Sequence, residues 1–94
     1  MNILTTVSDN IQIIKKAMKM RRVALGFTQE QAAKRTGIAA GTLKRFERTG
    51  EITLERLLCL MKLYDMDDKI VPKFQDMSWW SLTQIERAET RQKA

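Results

Sequence analysis

The sequence lacks histidine altogether and contains only one cysteine, Cys59. Histidine is the commonest general base and the commonest zinc ligand, so its absence removes most acid–base and zinc chemistry. A single cysteine can form neither an intramolecular disulfide nor a cysteine-rich metal site. Because Cys59 lies in the apolar run at residues 57–61, we expect a buried structural thiol. Asp65, Asp67 and Asp68 are clustered carboxylates, but they fall in a polar connector where a solvated turn is expected. The composition therefore predicts no metal, no cofactor and no enzymatic activity.

Glycine, proline and long hydrophobic runs are also scarce. The four glycines form neither of the spaced patterns, GxGxxG or GxxxxGK followed by Ser or Thr, that cradle phosphates. No apolar run reaches the ~18–20 residues that cross a bilayer. Residues 1–7 do not combine a basic leader with a long apolar stretch, so we expect a cytoplasmic protein without a membrane segment. With 44 % apolar residues and one proline, the 94-residue chain is expected to fold as one small all-α domain.

Positive charge is concentrated in the first half of the chain. Residues 1–50 carry ten Lys or Arg against three acids, whereas residues 51–94 carry seven against eight. This asymmetry indicates an anionic partner, either nucleic acid or anionic lipid. The apolar stripe of the first helix is narrow and lacks Trp and Phe, which favours core packing over membrane binding. A merely solvated basic face is the alternative.

Helical periodicity predicts a first helix over residues 8–25, with Ser8 as its N-cap and Gly26 as its stop. Its apolar side chains recur at intervals of three, four and seven residues and are expected to form its core face: Ile11, Ile14, Met18 and Leu25. The basic residues of this helix lie largely off that face.

A second helix is expected to open at Thr28, because residues 28–31 form a capping box and Phe27 can act as a hydrophobic staple. It ends near Gly37, which supplies the positive φ of a tight turn. A third helix follows over residues 40–48, with Leu43 and Phe46 facing inward. Two short helices joined by a glycine-containing turn form a helix-turn-helix unit.

Three further helices are predicted in the second half of the chain. Thr53 caps a helix over residues 54–64, a short one around residues 67–71 is limited by Pro72, and a capping box at residues 81–84 opens a last one reaching Thr90. The fourth helix has an expected core stripe of Leu54, Leu57, Leu58 and Met61. Trp79 and Trp80 are adjacent, so we expect one in the core and the other at a partner surface, or both closing a small core.

Residues 21–33, 37–38 and 42–47 resemble the Cro/C1-type helix-turn-helix family of XRE, phage-repressor-like regulators, and the match covers about residues 11–65. The resemblance implies a lambda-repressor-like bundle of five short helices in residues 1–74, with residues 75–94 as a C-terminal helical extension. It also implies a homodimer on a near-palindromic operator, with residues 54–74 as the dimerisation side. Glu47 matches a family glutamate that serves structure, and Arg22 is its candidate partner.

The candidate DNA-binding residues lie at the starts of the second and third helices. The small residues Ala39, Ala40 and Gly41 would let the third helix sink into the ~12 Å major groove. Either alanine could meet a thymine methyl, although both could be spacers. The remaining candidates are Thr28, Gln29, Thr42, Lys44 and Arg45.

Lys44 and Arg45 are the expected base readers, since arginine to guanine is the commonest specific contact; a solvated Arg45 is the alternative. Thr28 and Gln29 begin a helix, where anions are favoured. Gln29 is also similar to the family's glutamine that binds phosphate and supports the recognition helix. Thr42 serves either phosphate binding or local capping.

Residues 48–53 depart from the family pattern, because they lack its frequent proline and are about one residue shorter. Glu51 in this loop would oppose phosphate contacts, so specificity would depend on DNA shape as well as on base contacts. Two functions follow as hypotheses. The first is a dimeric repressor that binds double-stranded DNA; the second is an antitoxin of a kinase-type module that neutralises a toxin protein and autoregulates its operon.

Overall fold

The computed structural model describes residues 2–76 and 82–93, and these residues contain helices and no β-strand. The helices are α1 (Ile3–Ala24), α2 (Gln29–Thr36), α3 (Ala40–Thr49), α4 (Leu54–Leu63), α5 (Asp67–Gln75) and α6 (Leu82–Lys93). The all-α class and the bundle with a helix-turn-helix are thereby confirmed. Within the described ranges, no helix combines the length and hydropathy that a bilayer-spanning segment needs.

The core lies where α1, α2, α3 and α4 meet. α3 packs against both α1 and α2, and α4 packs against α2 and α5. The buried side chains come from all four helices and the turns between them: Met18, Ala32, Ala33, Ile38, Leu43, Phe46, Leu60, Met61 and Tyr64. Alanines in α2 allow its backbone to approach α3 closely, which brings the two helices of the helix-turn-helix together.

Local capping fixes the ends of α2 as the sequence predicts. The Thr28 hydroxyl accepts a hydrogen bond from the Gln31 amide at 3.0 Å, and the Gln31 side chain accepts one from the Thr28 amide at 2.9 Å. Gly37 ends the helix with φ 76°. Thr53 likewise caps α4 by accepting from the Arg56 amide at 3.3 Å. These side-chain bonds satisfy backbone donors that a helix end leaves unpaired.

The first helix begins five residues earlier than predicted. Asn2, not Ser8, is its N-cap, and the Asn2 side chain accepts from the Leu4 amide at 2.9 Å. The predicted core face was also wrong in part, because Met18 is buried while Ile11, Ile14 and Leu25 are 37 %, 46 % and 39 % exposed. A 22-residue helix is about 33 Å long, whereas α3 is about 15 Å, so the N-terminal part of α1 extends past its packing partners.

The fourth helix is rotated relative to the prediction. Leu60 is fully buried, whereas Leu54 and Leu58 are 71 % and 40 % exposed. The inward stripe instead runs through Leu57, Leu60 and Met61 to Tyr64, which is an equally regular helical period. Successive residues are about 100° apart around a helix. The expectation of a buried thiol is therefore wrong, since the exposed Cys59 lies on the opposite side from Leu57.

The two last helices are longer than predicted. α5 continues past Pro72 to Gln75. Proline removes only one internal hydrogen bond, and no residue of this helix is fully buried. α6 continues past Thr90 to Lys93. The predicted capping box at residues 81–84 and the roles of Trp79 and Trp80 lie outside the described residues and side chains.

Candidate nucleic-acid interface

A buried ion pair holds α3 against α1. Arg22 donates from Nε and Nη2 to the two carboxylate oxygens of Glu47 at 2.7 and 2.9 Å. The two side chains are only 9 % and 5 % exposed. Hydrogen bonding to Glu47, which outweighs the opposing effect of burial, raises the pKa of Arg22 above its ordinary value. The bidentate geometry fixes the orientation of both helices, and it confirms that Arg22 is the partner of Glu47.

The same carboxylate connects α2 to α3. Gln29 donates from Nε2 to Glu47 Oε1 at 3.1 Å. Arg22 also donates from Nη1 to the Phe27 carbonyl at 2.7 Å, just before α2 begins. Glu47 therefore contacts the first residue of α2 and the α1 arginine at once. Gln29 supports the recognition helix as the resemblance implied, and its phosphate contact stays a prediction.

Tyr64 packs beneath this network, and its hydroxyl has no hydrogen-bond partner among the described residues. Its ring stacks on Phe27 with centroids 6.5 Å apart, and the Arg35 guanidinium lies 5.1 Å over the Phe27 ring. Burial, reinforced by the charge of Glu47 and opposed by that of Arg22, raises the pKa of Tyr64 to about 12. The stack lies between α2 and the end of α4.

Two more basic residues of α1 bind backbone carbonyls at helix ends. Lys15 donates from Nζ to the Arg48 carbonyl in the last turn of α3 at 2.9 Å. Arg21 donates from Nε to the Tyr64 carbonyl at 2.9 Å, where α4 ends. Cations are favoured at the negative ends of helices. These structural roles were missed at the sequence level, where α1 was expected to present a solvated basic face.

The first residues of α3 have small side chains, and no side chain caps this end of the helix. Ala39 occupies the N-cap position and makes no side-chain hydrogen bond there. Ala39 and Gly41 are exposed, Thr42 is half-buried, and Ala40 packs partly against the core. The packing of Ala40 favours the spacer interpretation for that residue. A flat, uncapped helix end of this kind can approach a phosphate or a groove closely.

The two candidate base readers are exposed on α3 and each contacts one acid. Lys44 Nζ lies 3.1 Å from Glu30 Oε1, with the side chains 53 % and 65 % exposed. The pKa of Glu30 lies below its ordinary value, first because its own backbone amide donates to it and second because of Lys44. Arg45 Nη2 donates to Glu51 Oε2 at 2.5 Å, with the side chains 62 % and 65 % exposed. Such exposed pairs contribute little to the stability of the fold.

The structure thus brings the candidate residues together at the start of α2 and on the exposed side of α3. Thr28 is exposed beside Gln29, and its hydroxyl already accepts the α2 capping bond. Inward-facing Leu43, Phe46 and Glu47 fix α3 from behind. Whether the exposed residues contact DNA stays a prediction.

The acidic cluster spans the turn before α5 and the first turn of that helix. The carboxylates of Asp65, Asp67 and Asp68 can lie within 4.8 Å of one another. Asp67 pairs with Lys62 at 3.4 Å, and both Asp67 and Asp68 occupy the first turn of α5, whose N-cap has no side-chain bond. Negative charge is favoured at a helix N-terminus, so the cluster has a structural explanation.

Comparison with known proteins gives a helix-turn-helix family model that matches residues 18–67, more than half of the chain. The chain belongs to this helix-turn-helix family of the XRE, Cro/C1 type. It is a DNA-binding regulator of that class. No curated protein and no solved structure matches the chain.

The Tyr64 hydroxyl gives a stability prediction. We expect Tyr64→Phe to be as stable as wild type at pH 7, or up to about 1 kcal/mol more stable, because it removes a buried group without a partner. The pKa of Tyr64 is near 10 when unfolded and about 12 when folded. The unfolded chain therefore loses this proton first, and wild type loses stability from pH 10 to 12 while the variant lacks that component.

Urea unfolding followed by circular dichroism at pH 7, 9 and 11 measures this difference. The two proteins differ only at residue 64, so the difference between their stabilities at each pH measures the contribution of the Tyr64 hydroxyl. A loss of 2 kcal/mol or more in Tyr64→Phe at pH 7 would show that the hydroxyl has a partner after all.

Proposed function

We propose that this protein is a sequence-specific transcriptional repressor that reads the major groove with α3. The observation that carries the proposal is the division of α3 into two faces. Leu43, Phe46 and Glu47 are fixed from within, while Lys44 and Arg45 are exposed on the same two turns. A helix held rigidly from behind can place its outer side chains with the precision that base recognition needs.

The contacts with DNA would be of two kinds: phosphate contacts that position the protein and base contacts that recognise the sequence. The starts of α2 and α3, with Thr28, Gln29, Gly41 and Thr42, would bind the phosphate backbone through hydroxyl, amide and backbone N–H groups. Lys44 and Arg45 would reach base edges, and the exposed Ala39 would lie against a thymine methyl. Glu30 would release Lys44 in exchange for a base or a phosphate.

Repression would follow from occupancy, without catalysis. Two recognition helices spaced about 34 Å apart would enter successive major grooves and exclude polymerase. The family is regulatory and typically non-enzymatic. A protein with this role would act in the cytoplasm, where its operator DNA would be accessible.

A homodimer is part of the proposal, and the α4–α5 side supplies a surface for the second copy. Leu58, Val71 and Phe74 are 40 %, 41 % and 72 % exposed. Val71 and Phe74 are three residues apart in one helix and lie on the same face. Large apolar side chains grouped on one side are typical of a protein interface, and this is the side that the family resemblance implied.

The antitoxin hypothesis stays as the alternative, in which a toxin protein binds this chain and the pair represses its own operon. Copurification with the product of a neighbouring co-transcribed gene tests it. The main proposal predicts full operator binding by the purified chain alone.

The proposed function gives a prediction for Lys44 and Arg45, the two candidate base-reading residues. We expect Arg45→Ala to lower the preference for operator over scrambled DNA about tenfold or more, because one good base contact contributes about 1–3 kcal/mol of discrimination. Lys44→Ala should also lower this preference if Lys44 contacts bases. If Lys44 contacts a phosphate, the substitution should weaken binding to both DNAs and reduce the slope of log affinity against log salt concentration by about 1. Fluorescence anisotropy across a salt series measures both quantities.

The probes are a duplex of about 30 base pairs from upstream of the gene itself and a scrambled duplex of equal composition. Arg87→Ala is the matched control, since it removes one exposed positive charge from α6. Retention of full discrimination by the Lys44→Ala, Arg45→Ala double variant would rule out these two residues as readers.

The proposed homodimer gives a further prediction, for Phe74 on α5. We expect Phe74→Glu to convert a dimer into a monomer at micromolar concentration, because a carboxylate in an apolar interface is poorly solvated. Leu4→Glu is the control, since Leu4 is 70 % exposed on α1. Sedimentation equilibrium distinguishes the outcomes: a dimer that survives Phe74→Glu and dissociates with Leu4→Glu would contradict the proposed interface.

A further inference from the structure

Arg45 is held in a closed ring of interactions with the loop that follows α3. The Thr49 hydroxyl donates to the Arg45 carbonyl at 2.7 Å, and the Glu51 amide donates to that same hydroxyl oxygen at 3.1 Å. The Glu51 carboxylate then accepts from Arg45 Nη2 at 2.5 Å. Backbone and side chain of Arg45 therefore both connect to residues 49–51.

The position of Glu51 is fixed by its two neighbours. Gly50 has φ 84°, and a Cβ there would clash with Ile11 Cγ2, so only glycine fits against α1. Ile52 packs against the core, and Thr53 caps α4. Glu51 thus projects from a turn held on both sides, and its carboxylate restricts the orientations of the Arg45 guanidinium.

The other reader is held differently. Lys44 Nζ lies 3.1 Å from Glu30 Oε1. Within residues 2–76, no hydrogen bonds like those between Arg45 and residues 49–51 are seen around Lys44. Arginine presents a planar fork of five donors, and the recorded contact with Glu51 uses only Nη2. The remaining donors of the fork can bind a guanine while Glu51 keeps its orientation.

We propose that Glu51 is a positioning residue that increases the sequence discrimination of Arg45 and decreases affinity for DNA in general. This inference rests on the proposed DNA-reading function. Glu51 repels the phosphates of every sequence equally, as a negative charge near DNA must. On the operator, the contact between guanine and the already oriented Arg45 guanidinium offsets this repulsion. On a wrong sequence the phosphates are repelled in the same way, but the guanine contact is missing.

Glu51→Gln and Glu51→Asp separate the two effects. Glutamine removes the repelling charge, while aspartate keeps the charge and withdraws it from Arg45 by one methylene. We expect Glu51→Gln to bind scrambled DNA more tightly and to lower the ratio of operator to scrambled affinity about five- to tenfold, comparable to a weakened base contact. Glu51→Asp should lower the ratio similarly with little gain in affinity for scrambled DNA.

The readout is fluorescence anisotropy of the full chain on the upstream and scrambled duplexes, with Glu86→Gln on α6 as the matched charge control. Glu51 acts through Arg45, so Glu51→Gln in an Arg45→Ala background should leave the ratio unchanged. Circular dichroism confirms that each variant is folded.

Two results would overturn the inference in different ways. If Glu51→Gln raises both affinities by the same factor, or acts like Glu86→Gln, then Glu51 does not position Arg45 and the proposed function stands. If wild type binds both duplexes equally, the proposed function fails and this inference fails with it.

Discussion

The Arg22–Glu47 ion pair is the interaction on which the arrangement of the helix-turn-helix depends. It joins α1 to α3, and through Gln29 and the Phe27 carbonyl it also joins both to the start of α2. A buried charge is costly without its partner, so the pair permits few alternative orientations of α3. Fixing α3 from within is what gives its outer face a defined geometry.

The basic first half of the chain is therefore not a uniform DNA-binding surface. Lys15, Arg21 and Arg22 contact carbonyls or a buried carboxylate, and they stabilise the bundle. Lys44 and Arg45 instead lie exposed, each beside one acid. Net charge indicated an anionic partner correctly as a class, but the contacts decide which cations remain available to it.

Features set by local chemistry could be predicted from the sequence, whereas features set by packing could not. The Thr28 and Thr53 caps, the Gly37 turn and the Arg22–Glu47 pair follow from short motifs or from the family resemblance. The rotation of α4 could not be predicted, because its leucine-rich pattern fits two inward stripes that share Leu57 and Met61. The exposure of Cys59 follows from that rotation. The ring around Arg45 depends on Gly50 meeting Ile11 across the bundle, a contact without any local signal.

The most direct test of this account is a double-mutant cycle on the free energy of unfolding. Arg22→Met and Glu47→Leu should each lose about 3–5 kcal/mol, because each leaves one buried charge unpaired. The double variant should lose clearly less than the sum of the two, since it buries no charge. Urea unfolding of the four proteins measures the coupling. Additive losses would show that the two residues act independently and that their ion pair does not hold α3 against α1.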